Sequence, residues 1–321
     1  MTQDTDISVI IVNLNTSDLL EACLRSLEIE RNSVSLEAHV VDNGSTDGSP
    51  DMVRRLFPWV KLTVNARNEG FARPNNVGLA EARGRFLLLL NSDTVVRPGA
   101  LNTMARFLEK HPDASACGPR LLYPDGRTQR SVKGFPTLFT HVCDMLFLDA
   151  LFPNSRVFGR GEQRYFDYSR AASVDHLMAA AFMIRREAYE KVGPLDEQFA
   201  IYYNDMDWCF RAKTTGWSIW YLPDAEVIHY LGKTVGTINR QFAFFDMLYN
   251  NVLLFYQKHY GRGTVVAYRL LMVAGFAMRA CGWTVAALLR PSEGTRHMRR
   301  FSWKSLLFGL KCWEPAGVKE L

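Results

Sequence analysis

The chain has no pair of cysteines at the spacing that metal sites and redox motifs require. Its six cysteines are scattered over 321 residues, and none stands in a C-x-x-C motif. Disulfide-stapled proteins and structural zinc sites carry cysteines at short, regular spacings. The cysteine pattern therefore excludes a disulfide framework and a zinc ribbon, and it is typical of reduced thiols in a cytosolic protein.

Two glycine-rich phosphate loops are also missing. No G-x-G-x-x-G follows the first predicted strand, and no G-x-x-x-x-G-K-[ST] occurs in the chain. These loops cradle the phosphates of dinucleotides and nucleoside triphosphates, so neither a dinucleotide-dependent dehydrogenase nor a P-loop NTPase is favoured. Repeats and low-complexity stretches are absent as well, and the polar, acidic residues 1–6 are not typical of a signal peptide.

Charge is distributed unevenly along the chain. The net charge is +5, but residues 262–321 alone carry ten Lys/Arg and three Asp/Glu, whereas residues 1–261 carry 28 basic and 30 acidic residues. The overall composition, 48% hydrophobic and 22% charged, is that of an ordered globular protein. The basic character thus belongs to the C-terminal segment and predicts a separate role for it. Nucleic acid is not an expected partner.

Strand and helix patterns alternate over the first 110 residues. Such alternation predicts an α/β fold with a mostly parallel central sheet flanked by helices. Each predicted strand ends in a polar cluster, and ligands of open α/β sheets bind where the carboxyl ends of the strands meet the loops. The predicted strands cover residues 7–12, 38–41, 60–64 and 86–90, with later short strands at 218–222 and 225–228.

The fourth strand aims a carboxylate at this edge. Residues 86–90 are all apolar, as in a strand buried on both faces, and they end on Asn91, Ser92 and Asp93. A carboxylate here is a candidate ligand for a divalent cation, Mg²⁺ or Mn²⁺, that also binds substrate phosphates. The alternative is that the three polar residues only form a turn.

Other strand ends also allow two interpretations. Asp42 either closes an Asx-type turn or accepts the imide N–H of a pyrimidine base. The loop that contains Asn68 and Asn76 is either an ordinary polar loop or an anion site at a helix N-terminus. His229, at the end of a later strand, is either a structural histidine or a ligand.

A helix that begins near residue 204 carries two acids, Asp205 and Asp207, in its first turn. Acids at this position cap a helix or interact with its dipole. Alternatively, Asp205 is a general base. The aromatic residues that surround it in sequence, among them Tyr203 and Trp208, are then expected to raise the pKa of its carboxylate.

Taken together and in order, these segments resemble the family 2 glycosyltransferases of GT-A fold, most closely their bacterial rhamnosyltransferase-like branch. The resemblance covers about residues 7–235. The matching segments are VIIVNLN (9–15), VVDNGSTD (40–47), NEGFA (68–72), LLLNSD (88–93), VDHLM (174–178), NDMDWCFR (204–211) and VIH (227–229).

The resemblance implies transfer of a sugar from a nucleotide-activated donor to an acceptor hydroxyl, with inversion at the anomeric carbon. Asp205 is then the catalytic base. Asp93 is the closing carboxylate of the family's D-x-D metal motif, and His229 is the second protein ligand of the cation. The residues assigned to the nucleotide sugar are Asn13, Asn15, Asp42, Asn68, Gly70, Asn76, Asn91 and Ser92.

The chain departs from the family pattern in two places. The first acid of D-x-D is Asn91, a neutral ligand, which predicts weaker metal binding or greater reliance on His229 and phosphate. The glutamate that usually precedes the base is Asn204, and the loss of a neighbouring negative charge is expected to lower the pKa of Asp205.

The C-terminal segment combines apolar and basic residues. Residues 264–289 are mostly apolar, but Arg269 and Arg279 make a simple transmembrane helix costly. Residues 301–313 mix aromatics, leucines and lysines, which suits a helix in the membrane interface, and three nearby arginines suit anionic headgroups. The alternative is a helical subdomain packed on the catalytic domain or on a second subunit of a homodimer.

We therefore expect a catalytic domain over residues 1–240 and a helical, basic, membrane-associated segment over residues 241–321. The catalytic domain is expected to divide into a nucleotide-binding half, 1–118, and an acceptor half, 119–240. The segment 241–321 is expected to hold the protein peripherally on the cytoplasmic face of the membrane.

The leading functional expectation is transfer of L-rhamnose from dTDP-rhamnose to a lipid-linked saccharide, for a cell-surface polysaccharide. The first alternative is a UDP-hexose-dependent transferase of the same fold. A nucleotide-sugar pyrophosphorylase is disfavoured because Asn13-Leu14-Asn15 stand where its glycine-rich loop would be. A catalytically silent binding subunit is suggested only by Asn91 and Asn204.

Overall fold

The computed structural model describes residues 6–199, 201–230 and 241–311 and divides into two compact units. The first, the sheet unit, comprises the described parts of Met1–Phe135 and Glu162–Thr237. The second, the helical unit, comprises Pro136–Gly161 and the described part of Ile238–Glu320. Residues 136–161, which the sequence placed in the acceptor half, thus cluster with the C-terminal helices. The expected boundary at residue 240 lies outside the described residues.

The sheet unit contains all the described strands and six helices. The strands are β1 (Ile7–Asn13), β2 (Leu36–Asp42), β3 (Lys61–Val64), β4 (Phe86–Asn91), β5 (Thr94–Val96), β6 (Ala114–Leu122), β7 (Val132–Lys133), β8 (Ala172–Ser173), β9 (His176–Leu177), β10 (Ala181–Arg185) and β11 (Ser218–His229). Its helices are α1 (Ser17–Glu30), α2 (Ser49–Leu56), α3 (Ala72–Glu81), α4 (Ala100–Lys110), α7 (Arg186–Val192) and α8 (Asn204–Thr214); the helical unit has α5 (Leu138–Met145), α6 (Leu148–Leu151), α9 (Gln241–His259), α10 (Arg262–Leu289) and α11 (Glu293–Lys311).

The main sheet has nine strands in the order β3-β2-β1-β4-β10-β6-β11-β5, with β8 beside β11. The strands β3, β2, β1 and β4 are parallel, and β6 is parallel to β11. The strand β10 runs antiparallel to both neighbours because the chain enters it from the edge where β4 ends. The predicted α/β class with a mostly parallel sheet is confirmed.

The predicted burial of the fourth strand on both faces is also confirmed. Residues 87–90 of β4 are at most 2% exposed. Leu88 and Leu90 pack into a core with α1, α2 and α4, whereas Leu87 and Leu89 pack into a second core with α3 and α8. Because successive side chains of a strand point to opposite faces, one apolar run serves both cores.

Where the sequence predicts two short strands, the structure has one, β11. Its register against β6 shifts between Leu222 and Glu226, so that residues 223–225 bulge out of the ladder. Pro223 has no N–H to donate to a neighbouring strand, which explains why the pattern breaks at this point in the sequence.

The helical unit is centred on α10, which contacts α9, α11 and α5. The rings of Tyr249 and Tyr256 lie 5.7 and 5.2 Å from that of Tyr268, and all three side chains are buried. Among the described residues, α10 is the one helix long and apolar enough to cross a membrane. The predicted interfacial stretch 301–313 coincides with the second half of α11, and its last two residues lie outside the described part.

Candidate active site

The polar ends of three neighbouring strands meet at one edge of the sheet. The central strand β1 pairs with β2 on one side, where Asn13 lies opposite Asp42, and with β4 on the other, where Val12 lies opposite Asn91. The structure therefore brings together the strand ends that the sequence singled out, since parallel strands end on the same side.

A chain of hydrogen bonds joins these strand ends. The buried carboxylate of Asp42 accepts hydrogen bonds from the Asn13 amide at 2.8 Å and from the Ser45 N–H at 2.8 Å. Asn13 Oδ1 accepts the Thr16 hydroxyl at 2.6 Å, and that hydroxyl lies 2.9 Å from Ser92 Oγ. Asp42 thus stabilises the turn after β2, which was one of the two interpretations of this residue, and its predicted contact with a pyrimidine base stays a prediction.

Asn15 ties the loops after β1 and β2 together. Its backbone is in the left-handed region, with φ at 52°, a conformation that asparagine tolerates better than most residues. The side-chain oxygen accepts the Thr46 N–H at 2.8 Å, and the backbone N–H donates to Ser45 Oγ at 2.9 Å. The two loops therefore hold each other in place beside the buried network.

The loop after β3 is organised by Asn43, a residue that the sequence did not single out. Its side-chain NH₂ donates to Asn68 Oδ1 and to the Gly70 carbonyl, both at 2.8 Å, and its oxygen accepts the Glu69 N–H at 3.0 Å. Gly70 has a φ of 82°, which favours glycine. Asn68 and Gly70 are thus held at the same edge as Asp42, because Asn43 directly follows that residue.

Asn76 points to another part of the sheet unit. Its amide NH₂ donates to the Leu195 carbonyl at 2.9 Å, and its oxygen accepts the Leu195 N–H at 3.0 Å. Both atoms of the amide therefore bind one backbone residue and fasten α3 to the segment before α8. A role for Asn76 in sugar-nucleotide binding stays a prediction.

Asp93 and His229 face each other at the edge of the sheet. Both are buried, at 1% and 3% exposure, and Asp93 Oδ1 lies 3.4 Å from His229 Nε2. The Tyr230 N–H donates to the Asp93 carbonyl at 2.9 Å, which fixes the end of β11 against the loop after β4. Asp93 Oδ1 has no hydrogen-bond partner, an arrangement that is costly for a buried carboxylate.

Gln129 determines which nitrogen of His229 faces Asp93. Its NH₂ donates to the carbonyls of His229 at 2.6 Å and Leu122 at 3.2 Å, so its oxygen is left as an acceptor, 3.0 Å from His229 Nδ1. Nδ1 therefore carries a proton, and in the neutral ring the nitrogen that faces Asp93, Nε2, presents a lone pair. A carboxylate oxygen and an imidazole nitrogen that face each other are a donor pair that a divalent cation can use.

The pair supplies only two protein ligands. Within residues 6–199, 201–230 and 241–311, no cluster of three or more His, Cys, Asp or Glu is placed to hold a metal ion. A cation bound by Asp93 and His229 would have to complete its coordination with other oxygens, such as those of a substrate diphosphate. Asn91, to which the resemblance assigns the first position of the metal motif, ends β4 two residues before Asp93.

Asp205 sits at the beginning of α8, after a strained turn. Tyr202 and Tyr203 both have positive φ, 61° and 64°, which costs non-glycine residues about 1–3 kcal/mol each. The Tyr203 carbonyl accepts the Asp207 N–H at 2.7 Å, so the turn leads directly into the helix.

His176, which the sequence did not single out, is the main partner of Asp205. Its Nε2 lies 3.3 Å from Asp205 Oδ2, and the N–H groups of Ala179 and Met206 donate to the carboxylate at 3.1 and 2.8 Å. Burial raises the pKa of Asp205, but His176 and the hydrogen bonds outweigh it, so the pKa is lowered. The expected increase in this pKa is therefore wrong for the net shift, although burial contributes in that direction; the lowering expected from Asn204 stays a prediction.

Two adjacent residues, Ala179 and Ala180, connect Asp205 to the end of β4 by hydrogen bonds. Ala179 donates to Asp205, and the next residue, Ala180, accepts the Asn91 N–H at 2.9 Å. Asp205 and the end of β4 are therefore linked through the dipeptide that directly precedes β10. This contact explains how residues more than one hundred positions apart share one edge of the sheet.

The amino-acid sequence matches a known family. The pattern that describes glycosyl transferase family 2 matches residues 8–193, more than half of the chain. The chain belongs to this family. The protein is therefore a glycosyltransferase, as predicted.

Two relatives extend beyond the family match. The N-acetylglucosaminyl-diphospho-decaprenol L-rhamnosyltransferase of Mycobacterium tuberculosis is 28% identical over 239 residues, which cover 71% of this chain and 77% of the relative. The O-antigen biosynthesis protein RfbC of Myxococcus xanthus is 28% identical over 231 residues, 70% of this chain but only 17% of that longer protein.

Solved structures share the fold at low sequence identity. The Pyrobaculum calidifontis mannosyltransferase PcManGT, in complex with GDP-Man and Mn²⁺, aligns with a TM-score of 0.56 at 18% identity and covers 98% of this chain and 89% of its own. Residues 1–349 of S. aureus TarS, with UDP-GlcNAc, align with a TM-score of 0.52 at 16% identity, covering 95% and 81%. The predicted GT-A fold is confirmed.

Proposed function

We propose that the protein transfers L-rhamnose from dTDP-rhamnose to a hydroxyl of a lipid-linked saccharide, with inversion, in the synthesis of a cell-surface polysaccharide. The observation that carries the proposal is the placement of Asp205 and of the Asp93–His229 pair at one sheet edge. The M. tuberculosis relative, an L-rhamnosyltransferase named for a diphospho-decaprenol acceptor, supports the sugar and the acceptor class. RfbC, an O-antigen biosynthesis protein, supports the polysaccharide.

In this proposal Asp205 is the general base. Its lowered pKa keeps the carboxylate ionised at neutral pH, ready to accept the proton of the acceptor hydroxyl as that oxygen attacks the anomeric carbon. His176 and the Ala179 N–H hold the carboxylate in a single orientation. Positioning of this kind contributes to the rate because the base must lie within hydrogen-bond reach of the attacking hydroxyl.

Asp93 and His229 are the proposed ligands of Mg²⁺ or Mn²⁺, with Asn91 as a neutral oxygen nearby. When bound, such a cation supplies charge neutralisation for the departing nucleoside diphosphate. Gln129 keeps His229 Nε2 directed at Asp93, the outer role that carboxylates and amides commonly have around metal-bound histidines. The Mn²⁺ in the PcManGT structure supports a divalent cation here.

The nucleotide is proposed to bind along the ends of β1, β2 and β3. Asn13, Asn15, Asp42, Asn68 and Gly70 belong to the hydrogen-bonded loops at this edge, so the pocket would be preorganised. Ser92 and Asn91 would then be close to the diphosphate, because they lead into the metal ligand Asp93. A uridine nucleotide would fit the same pyrimidine contact, and the UDP-GlcNAc complex of TarS favours it as the second candidate.

A donor panel tests the proposed function. The protein is incubated with Mn²⁺ and, in separate reactions, dTDP-rhamnose, UDP-glucose, UDP-GlcNAc and GDP-mannose, and release of the nucleoside diphosphate is measured. We expect the fastest release from dTDP-rhamnose, and further acceleration by a polyprenyl-diphospho-GlcNAc acceptor. Faster release from a UDP-sugar would replace the rhamnosyl proposal with the second candidate, and no release from any donor would favour a silent binding subunit.

The pH dependence of activity tests the role of His176. In the wild type, His176 lowers the pKa of Asp205, so its replacement in His176→Gln raises that pKa. Because a general base acts only when deprotonated, the acidic limb of the kcat/KM profile is expected to move to higher pH. His111→Gln, at the opposite edge of the sheet after α4, is the matched control; a shift in both variants or in neither would contradict the assignment.

A peripheral location on the cytoplasmic face of the membrane is also proposed, since a lipid-linked acceptor is presented there. The basic C-terminal segment supports this location. Packing of the C-terminal segment against a second subunit, in a homodimer, stays the alternative prediction.

A further inference from the structure

Exposed apolar side chains are concentrated in the helical unit. Of the large hydrophobic side chains that are exposed in the described part of the chain, only Ile29 and Val64 belong to the sheet unit. All the others lie on α5, α6, α9, α10, α11 or the segments beside them. A soluble surface scatters such residues singly, so this concentration marks an interaction surface.

The longest part of this surface is a stripe along α10. The exposed positions recur every three or four residues, which places them on one face of the helix. None of them is charged between the arginines at positions 262 and 290, and the stripe is about 35 Å long at 1.5 Å per residue. Its members are Val266, Leu270, Ala274, Met278, Cys281, Gly282, Val285, Leu288 and Leu289.

The two arginines within α10 do not interrupt the stripe. Arg269 is only 5% exposed, so its side chain is directed into the helical unit. Arg279 donates to the Asp144 carbonyl at 3.3 Å, and its guanidinium lies 5.0 Å from the centre of the Phe147 ring. Arg269, one of the two charges that made a transmembrane helix costly from sequence, is therefore turned away from the exposed face, whereas Arg279 lies beside that face, against Phe147.

A second apolar element adjoins α10. The segment that contains α6 exposes Leu146, Phe147, Leu151, Phe152 and Val157 by 48–68% each. It contacts α10 through the stacking of Phe147 on Arg279, within the same compact unit. The sequence placed this stretch in the predicted acceptor half; in the structure it enlarges the apolar surface of the helical unit.

Basic residues lie beside the stripe on α11. Arg296, Arg300 and Lys304 are exposed and spaced by four residues, so they form a row along the helix. A groove of about 530 Å³ between α10 and α11 is lined by Arg299, Arg300, Lys304, Trp303 and Leu307, together with Thr284. Cations beside an exposed tryptophan are typical of helices at the headgroup level of a membrane.

We propose that this surface, the α10 stripe with the α6 segment, is inserted in the interface of an anionic lipid bilayer, with the α11 row on the headgroups. The inference rests on the proposed peripheral location and adds to it the face that is inserted. Vesicle binding tests it independently of sugar transfer. The surface is apolar over a long, uncharged stretch and is bordered by cations, which complements the acyl boundary and the anionic headgroups of a leaflet.

The position of Arg279 indicates that α10 lies in the plane of the membrane. Trp303 donates to Thr284 at 3.1 Å, and Gly309 lies beside Val273 and Phe276, so α11 runs antiparallel along α10 and its basic row lies beside the C-terminal end of α10. If α10 crossed the bilayer, Arg279 would lie about 5 Å from the midpoint of the helix, in the hydrocarbon, where an arginine is costly. An in-plane helix buries the stripe and leaves the row in contact with headgroups.

Flotation of the full-length protein with vesicles tests the proposal. We expect binding to phosphatidylcholine vesicles that contain phosphatidylglycerol, and at least about tenfold weaker partitioning for Leu270→Glu/Val285→Glu. Leu151→Ser/Phe152→Ser on the α6 segment is expected to weaken binding in the same direction. Ile29→Ser/Val64→Ser, which replaces the two exposed hydrophobic residues of the sheet unit, is the matched control and should float like the wild type.

The charge row has its own test. Arg296→Gln/Arg300→Gln/Lys304→Gln is expected to lose the preference for anionic over neutral vesicles, and with it most of the salt dependence of binding. Circular dichroism and release of nucleoside diphosphate from soluble donor report whether each variant is folded. These readouts separate failure of the membrane proposal from failure of the proposed function.

Two results would overturn the inference. The first is a wild type that does not float, or stripe and segment variants that float like the control. The second is a wild-type dimer in light scattering that Leu270→Glu/Val285→Glu converts to monomer without any change in flotation, which would make this face an interface between copies of the chain.

Discussion

Replacement of Asp205 by asparagine is expected to lower the turnover of sugar transfer by about 10²–10⁴-fold, the usual contribution of a positioned general base. Asparagine has nearly the same shape and can still accept the Ala179 N–H, but it cannot take the proton of the acceptor hydroxyl. Affinity for the donor, measured by calorimetry, is expected to change little, because the base acts on the acceptor.

The matched control is Glu187→Gln, the same change of carboxylate to amide at an exposed position on α7. It should leave turnover and donor affinity as in the wild type. Unaltered turnover in Asp205→Asn would show that the base assignment is wrong. Loss of donor binding together with turnover would instead point to a structural role of the first turn of α8.

Asp93→Ala is expected to abolish binding of Mn²⁺ in the presence of dTDP, whereas Asn91→Ala only weakens it. Asp93 contributes a buried carboxylate oxygen without another partner, but Asn91 is a neutral ligand at best. Binding is followed by electron paramagnetic resonance of free Mn²⁺, a readout that does not depend on turnover. Equal losses in the two variants would contradict the assignment of the metal bond to Asp93.

The same Mn²⁺ titration tests whether Gln129 orients the imidazole of His229. Gln129→Leu removes the acceptor that fixes the proton on Nδ1, so Mn²⁺ affinity should fall by about 10–100-fold, the usual effect of losing such a partner. Thr128→Ala, at the exposed neighbouring position, is the control. Wild-type affinity in Gln129→Leu would mean that His229 is held by the strand alone.

The strand ends were the part of the candidate site that could best be predicted from the sequence. The run at residues 86–90 predicts a strand buried on both faces, and a buried parallel strand delivers Asn91, Ser92 and Asp93 to the edge shared with Asp42. The pairing of Asp93 with His229 followed only from the family resemblance, because no local pattern joins residues so far apart. The structure brings the two within 3.4 Å of each other.

The partners of the site residues could not be predicted. His176 and Asp205 meet because β9 and α8 pack together, and Gln129 reaches His229 from a different loop. The pKa of Asp205 depends on such contacts as well: burial raises it, but His176 and the N–H groups of Ala179 and Met206 together lower it by more. The aromatic sequence neighbours of Asp205 supported the opposite expectation.

The sequence by itself determined the fold class, the family and the edge of the sheet at which the polar residues gather, because strand periodicity and strand-end composition are local properties. Tertiary structure alone decided the antiparallel course of β10, the nitrogen of His229 that faces Asp93, the burial of Arg269 and the contact of Arg279 with Phe147. Each of these depends on contacts between elements far apart in the chain. Such contacts are selected by packing and hydrogen-bond satisfaction over the whole unit, which no single segment encodes.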